Sequence, residues 1–189
     1  SYAGEDTGNP PIATHRLYYE ASDPILQTCS RLGLRNMPQN KVNIVFIPAY
    51  LTGHNALINM TYYEALSGCD LGVYPSYYEP WGYTPLESAA YAVPTITTDQ
   101  AGFGAFVLGT IGENKGVIVL KSKGETTGAV EDRLYGVLKD FLSWSDTEIL
   151  ERRGIARHVA LSTSWEYFFG AYREAYGKAL TAARLRVEK

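Results

Sequence analysis

The sequence predicts an α/β fold, a Rossmann-like parallel sheet flanked by helices. Three observations lead there. Short β-branched apolar runs alternate with helix-period stretches, and that order calls for crossover connections and parallel strands. Two of the runs stop at prolines, Pro48 and Pro75. At 189 residues, 46% hydrophobic and 20% charged, the chain has the size and balance of one ordinary globular core. A single domain over 1–189 is therefore the expectation.

The elements follow in order. Ile12-Ala13-Thr14 is a short strand candidate. Asp23-Pro24 opens a helix with Ile25, Leu26, Cys29 and Leu32 on one face, ended by Gly33. Val42–Ile47 reads as a strand. A helix is expected over roughly 55–67, then a short buried strand at Leu71–Tyr74. A further helix begins near Pro85 and ends at Val93-Pro94. Strands follow at Thr95–Thr97 and Val117–Leu120, with Lys121–Thr127 as a surface loop. Val130, Leu134, Val137, Leu138, Phe141 and Leu142 form the stripe of a core-facing amphipathic helix. Ser145-Asp146 caps a helix over roughly 146–161. Ser164 caps a last one bearing Trp165, Phe168, Phe169, Tyr172 and Tyr176, a face expected to pack on the sheet or against another domain.

Composition excludes several classes. The net charge of −3 and the lack of any basic run argue against nucleic acid as a partner. No apolar stretch approaches the roughly 20 residues of a membrane span, and the first residues lack the pattern of a signal peptide. Cys29 and Cys69 form no CxxC pair and read as small core residues of a reduced, cytoplasmic protein. His15, His54 and His158 are too scattered for a metal site.

In open parallel sheets ligands bind beyond the carboxyl ends of the strands. The loop after Tyr74, Ser76-Tyr-Tyr-Glu-Pro-Trp-Gly-Tyr-Thr-Pro-Leu-Glu87, is the candidate site. Thr84-Pro85-Leu86-Glu87 has the pattern of an N-cap, a first-turn proline and a capping-box glutamate. A helix start is a ready anion site, and Gly82 lets backbone approach a ligand. From local pattern alone Glu87 is as readily a cap as a ligand, Glu79 an ordinary loop carboxylate, and Trp81 a packing anchor. The next loop, Thr97 to Gly104, has two glycines that either admit a ligand or form a turn; its GxG is a weak dinucleotide signal.

Glu79 and Glu87 make the Glu-x7-Glu pattern of retaining GT-B glycosyltransferases. The longer string Pro75–Glu87 resembles the glycogen synthases of the animal and fungal type, with their bacterial relatives. Thr14-His15, Ala21–Gln27, Gly68–Tyr74 and Pro94–Thr98 with Gly102-Phe-Gly104 resemble that family too. The resemblance implies transfer of glucose from UDP-glucose to the non-reducing end of an α-1,4-glucan, with retention and without a metal or other cofactor. By matching position it makes Glu79 the catalytic glutamate. Backbone groups of Trp81, Gly82 and Tyr83 would hold the glucose, Thr84 and the helix start the diphosphate, and Glu87 the ribose. Tyr50 and Tyr62 would flank the uracil. Double displacement would need a nucleophile on the opposite sugar face, and no residue is an obvious one, so front-face departure is preferred.

A whole GT-B enzyme has two Rossmann-like domains around a cleft. The expectation here is most of the C-terminal, nucleotide-sugar-binding domain, without the N-terminal acceptor domain and inactive alone. A homo-oligomer stays open. Eukaryotic members carry an arginine-rich control helix; here only Arg152, Arg153 and Arg157 are comparable, and they read as a solvated helix face, so glucose 6-phosphate control is not expected. Two other readings compete: a different retaining GT-B enzyme, such as a sucrose-synthase-like one, and a non-catalytic nucleotide-sugar-binding module.

Overall fold

The computed structural model describes residues 11–54 and 58–187. The chain divides into two compact units, 1–62 and 63–189.

In the first unit helix α1, Pro24–Arg31, forms as its sequence dictates. Asp23 caps it, accepting from the N–H groups of Ile25 at 2.9 Å and Leu26 at 3.0 Å, and Pro24 takes the first helical position, where its missing N–H costs nothing. Cys29 is the buried residue of that helix. The strands predicted at 12–14 and 42–47 shrink to one parallel bridge, Ala13 with Phe46. Thr14 N–H donates to Phe46 O at 2.9 Å, and Phe46 N–H to Ile12 O at 2.7 Å. The reason the longer run makes no ladder lies in Asn36. Its buried carboxamide accepts from Ile44 N–H at 2.7 Å and donates to Ile44 O at 2.8 Å. A side chain thus takes the hydrogen bonds that a neighbouring strand would otherwise supply.

The helix expected over 55–67 is shorter. Residues 55–57 lie outside the described residues, Thr52 and Thr61 form an antiparallel bridge, and α2 covers Tyr62–Ser67.

The second unit holds the sheet. Strands β1 (Gly72–Val73), β2 (Thr95–Thr98) and β3 (Val117–Leu120) lie parallel in that order. Thr95 pairs with Gly72 on one side and with Val117 on the other. After β1 comes α3 (Tyr83–Ala90); after β2, α4 (Gly102–Phe106), which runs into a π turn at Val107–Ile111. After β3 come α5 (Thr127–Phe141), α6 (Asp146–Leu161) and α7 (Trp165–Val187). The Rossmann-like order of the prediction is therefore present.

The buried core is Ala89, Phe103, Val107, Val117, Ala156, Val159 and Ala160. All four residues of β2 are buried, three of them threonines. Thr95 Oγ1 lies 2.8 Å from both Val93 O and Ser88 Oγ, and Thr98 Oγ1 donates to Ser76 O at 2.6 Å. The hydroxyl of Thr97 is buried without a partner.

Helix α6 covers one side of this core and packs on α3. A full capping box starts it: Glu148 N–H donates to Ser145 Oγ, and Ser145 N–H to Glu148. That pairing holds the Glu148 carboxyl below its usual range, the backbone bond from Ser145 first. The arginines of α6 correct the expectation of a solvated face. Arg153 donates to Ala92 O at 3.2 Å, Cys69 O at 2.9 Å and the Asp70 carboxylate at 2.9 Å. Arg152 stacks over Trp144, 3.7 Å from the ring centre, and donates to Lys115 O. Only Arg157 of the three is exposed.

Two further expectations need correction, those for Cys69 and for the α5 stripe. Cys69 is exposed, because it sits on the turn that closes α2. The apolar stripe of α5 is only half-buried and Leu142 is exposed. Helix α7 packs through its first turn, where Phe168 meets Trp81 and Phe106, whereas Trp165, Phe169, Tyr172 and Tyr176 stay exposed. Among the described residues no helix is long and apolar enough to cross a membrane.

Candidate functional site

The Glu79 loop leaves the carboxyl end of β1 and is bound along its main chain to the loop that leaves β2. Glu79 N–H donates to Gln100 O at 3.2 Å, Gly102 N–H to Glu79 O at 3.0 Å, and Phe103 N–H to Trp81 O at 2.6 Å. Glu79 and Ala101 thereby form a parallel bridge, a short continuation of the sheet past its strands.

This closeness answers what the glycines of the second loop do. A Cβ on Gly102 would lie 2.2 Å from Pro80 O, and one on Gly104 2.1 Å from Thr98 O. The two glycines let backbone meet backbone.

Helix α3 begins earlier than Thr84-Pro85 suggests. Gly82 is its N-cap, at φ 100°, and no side-chain cap is made. Glycine takes this left-handed conformation without steric cost. Tyr83 is then the first helical residue and Pro85 the third, so Glu87 lies beyond capping reach. The capping reading of Thr84 and Glu87 is overturned; the tethers on Trp81 and Gly102 set where the helix starts. The α3 entrance presents the N–H groups of Tyr83 and Thr84, which have no intrahelical acceptor, and both residues are exposed.

The side chains divide by role. Trp81 turns into the core, with ring centres of Phe103, Phe106 and Phe168 at 6.0, 5.8 and 5.4 Å; its side chain is the packing anchor. Glu79 is half-buried and its Oε2 lies 3.4 Å from the Ser76 hydroxyl. Glu87, also half-buried, accepts from the phenol of Tyr63 at 3.1 Å. Tyr63 in turn stacks on Tyr91 at 4.9 Å with planes 9° apart. The hydrogen bond to Glu87, then its negative charge, raises the Tyr63 phenol above its usual range.

Asp99, at the end of β2, steadies the platform under the Glu79 loop. Its Oδ1 accepts from Ser122 N–H at 2.9 Å, Ser122 Oγ at 2.7 Å and Lys123 N–H at 3.1 Å. Desolvation, the largest influence, pushes its carboxyl up, but the hydrogen bonds from Ser122 and Lys123 together outweigh it and hold the group low.

Glu79, Trp81, Gly82, Tyr83, Thr84 and Glu87 are thus one loop and one helix start at the ligand edge of the sheet. Tyr50 belongs to the first unit, and Tyr62 closes that unit, its N–H donating to Leu51 O at 3.2 Å. Sequence reasoning missed Tyr63, Ser76 and Asp99, whose partners are set by the fold. A cavity of about 680 Å³ lies along β3 and α5, and no residue of the 75–87 loop lines it.

A sequence model of the family described as "Glycogen synthase" matches residues 2–186. The chain belongs to the glycogen synthase family. It is 34% identical over 182 residues, 95% of its length, to glycogen [starch] synthase of Caenorhabditis elegans. It is 32% identical over 176 residues to the mouse liver glycogen [starch] synthase, and over 175 residues to isoform 2 of Saccharomyces cerevisiae. These matches cover 92% and 90% of the chain. The chain spans about a quarter of the length of these relatives, 27%, 25% and 25% in turn. Family membership sets the chain among glycogen synthases and not in another family with the same Glu-x7-Glu pattern.

Proposed function

We propose that this chain forms the donor side of a retaining glucosyltransferase that moves glucose from UDP-glucose to the non-reducing end of an α-1,4-glucan. One observation carries the reading. In a chain of the glycogen synthase family, two carboxylates flank a left-handed glycine and a helix start beyond the carboxyl ends of parallel strands.

The chemistry follows from the positions. The helix start, with N–H groups of Tyr83 and Thr84, attracts the diphosphate. Glu87, already oriented by a phenol, accepts from ribose hydroxyls. Gly82, buried and left-handed, sets the turn that aims this helix start at the donor; a Cβ there would press on Pro85 and Ala101. Glu79 orients the glucose and steadies positive charge at the anomeric carbon as the bond to UDP breaks. The acceptor hydroxyl bonds to that carbon on the same face, and its proton passes to the departing phosphate. No metal or other cofactor enters this account, and the cytoplasm is where we place it.

Titration of the chain with UDP-glucose, followed by amide NMR, tests donor binding; shifts at Tyr83–Glu87 are expected. In the protein that carries this segment, Glu79→Gln should abolish glucosyl transfer to glycogen while changing UDP affinity by less than about twofold, a side-chain change far from the phosphates. Transfer that survives Glu79→Gln would refute the role of Glu79. Donor titration that leaves Tyr83–Glu87 unmoved would refute the site.

A further inference from the structure

A second cavity, of about 400 Å³, opens on the same edge of the sheet, between the Glu79 loop and the start of α5. Its apolar lining is Pro75, Val130 and Leu134. Its polar lining includes Gln100, Thr127 and Glu131. Tyr77, whose side chain is exposed, stands at its wall.

The electrostatics select among ligands. Two carboxylates line the cavity, Glu125 and Glu131. The guanidinium of Arg133 is committed to Glu125 at 2.9 Å and to Lys121 O. Among the described residues no lysine or arginine lines the space, so a phosphate would meet like charge and no cation from them. A ligand with apolar C–H faces and many hydroxyl donors meets complementary groups here: the apolar Pro75, Val130 and Leu134, the Glu131 carboxylate and the Gln100 amide. A pyranose has that character.

The cavity is joined to the proposed chemistry through Ser76. That residue lines the space, and its hydroxyl donates to Glu79. Its carbonyl accepts from Thr98, another lining residue. A sugar seated here therefore lies one side chain from Glu79.

We infer that this cavity binds a pyranose unit of a neutral oligosaccharide, and that the glucan chain runs from the Glu79 loop over the start of α5. The choice of an α-glucan rests on the proposed glucosyl transfer; occupancy by a neutral sugar does not.

Amide NMR of the chain, titrated separately with maltotriose, inorganic phosphate, spermidine and UDP-glucose, tests it. Maltotriose should move the amides of Gln100, Thr127 and Glu131 saturably. Glu131→Ala should weaken that binding roughly tenfold, the worth of a charge-assisted hydrogen bond, and Glu131→Gln should weaken it less. Glu131 is exposed, so neither change disturbs packing, and circular dichroism checks that. Maltotriose leaving these amides unmoved, or phosphate or spermidine moving them in its place, overturns the inference. UDP-glucose leaving Tyr83–Glu87 unmoved while maltotriose still binds would strike the donor reading and spare this one.

Discussion

Glu79 and Glu87 stand eight positions apart and are held in different ways. Glu79 is fixed through its backbone: its N–H and C=O both bond to the loop after β2, and Gly102 brings that loop within contact of Pro80. Glu87 rides on a helix and is oriented by one phenol, 24 residues earlier in the chain. The first carboxylate is positioned by main-chain geometry, the second by a replaceable side chain. Changes to the fold should therefore disturb Glu79, and changes to a single side chain should disturb Glu87.

The largest break is Gly102→Ala. The added methyl would meet a carbonyl oxygen at 2.2 Å, and only backbone movement relieves that. A loss of about 3 kcal/mol is expected, a fall in Tm of roughly 6–12 °C. The amides of Glu79 and Trp81 should shift with it, and Glu87 should not.

Next is Asp99→Asn, which weakens the clamp beneath the same loop. About 2 kcal/mol should be lost at neutral pH. The Asp99 carboxyl titrates lower folded than unfolded, so its stabilisation is complete above its unfolded pKa. It is lost as pH falls through the folded value. The gap between the two proteins in denaturant unfolding should close below about pH 4, and a gap that persists there would contradict the assignment.

Tyr63→Phe acts on the other carboxylate. It should leave Glu79 untouched and weaken UDP-glucose binding a few-fold, the size of one solvent-exposed hydrogen bond to a carboxylate. The raised phenol of Tyr63 favours folding while it stays protonated, and that contribution is lost as pH rises through the folded value. Ultraviolet titration above pH 10 should show one late-titrating tyrosine fewer in the variant.

The smallest effect belongs to Ser76→Ala. Its hydroxyl is 3.4 Å from Glu79, but its carbonyl, which Thr98 holds, remains. Stability should change by less than about 0.5 kcal/mol. A large loss in unfolding experiments would mean that side chains, not backbone, hold Glu79.

The same division explains what was legible in the sequence. Elements set by local rules were read closely: α1 by Asp23-Pro24, α6 by Ser145-Asp146, β3 by Val-Ile-Val-Leu. Elements set by distant partners were not. Val42–Ile47 has strand composition, yet Asn36 takes the hydrogen bonds of Ile44. Thr84-Pro85-Leu86-Glu87 has the pattern of a helix start, yet the tether from Phe103 to Trp81 and the left-handed Gly82 move that start upstream. Both glutamates stood out by spacing, while Tyr63 and Asp99 could not, since folding alone brings their partners near. The arginines of α6 looked solvated because nothing local says that three carbonyls and a carboxylate, up to 84 residues away, would claim them.

That last feature bears on how the protein is made. Arg153 binds the carbonyl of Ala92, 61 residues earlier. At synthesis rates of roughly 5–20 residues per second, the site-bearing helix α3 leaves the ribosome about 3–12 s before its cover. Limited proteolysis of stalled chains should cut near Ala92 until α6 has emerged. Throughout that interval the buried edge of α3 is open to whatever else is in solution, and a chaperone able to shield it would reach this segment first.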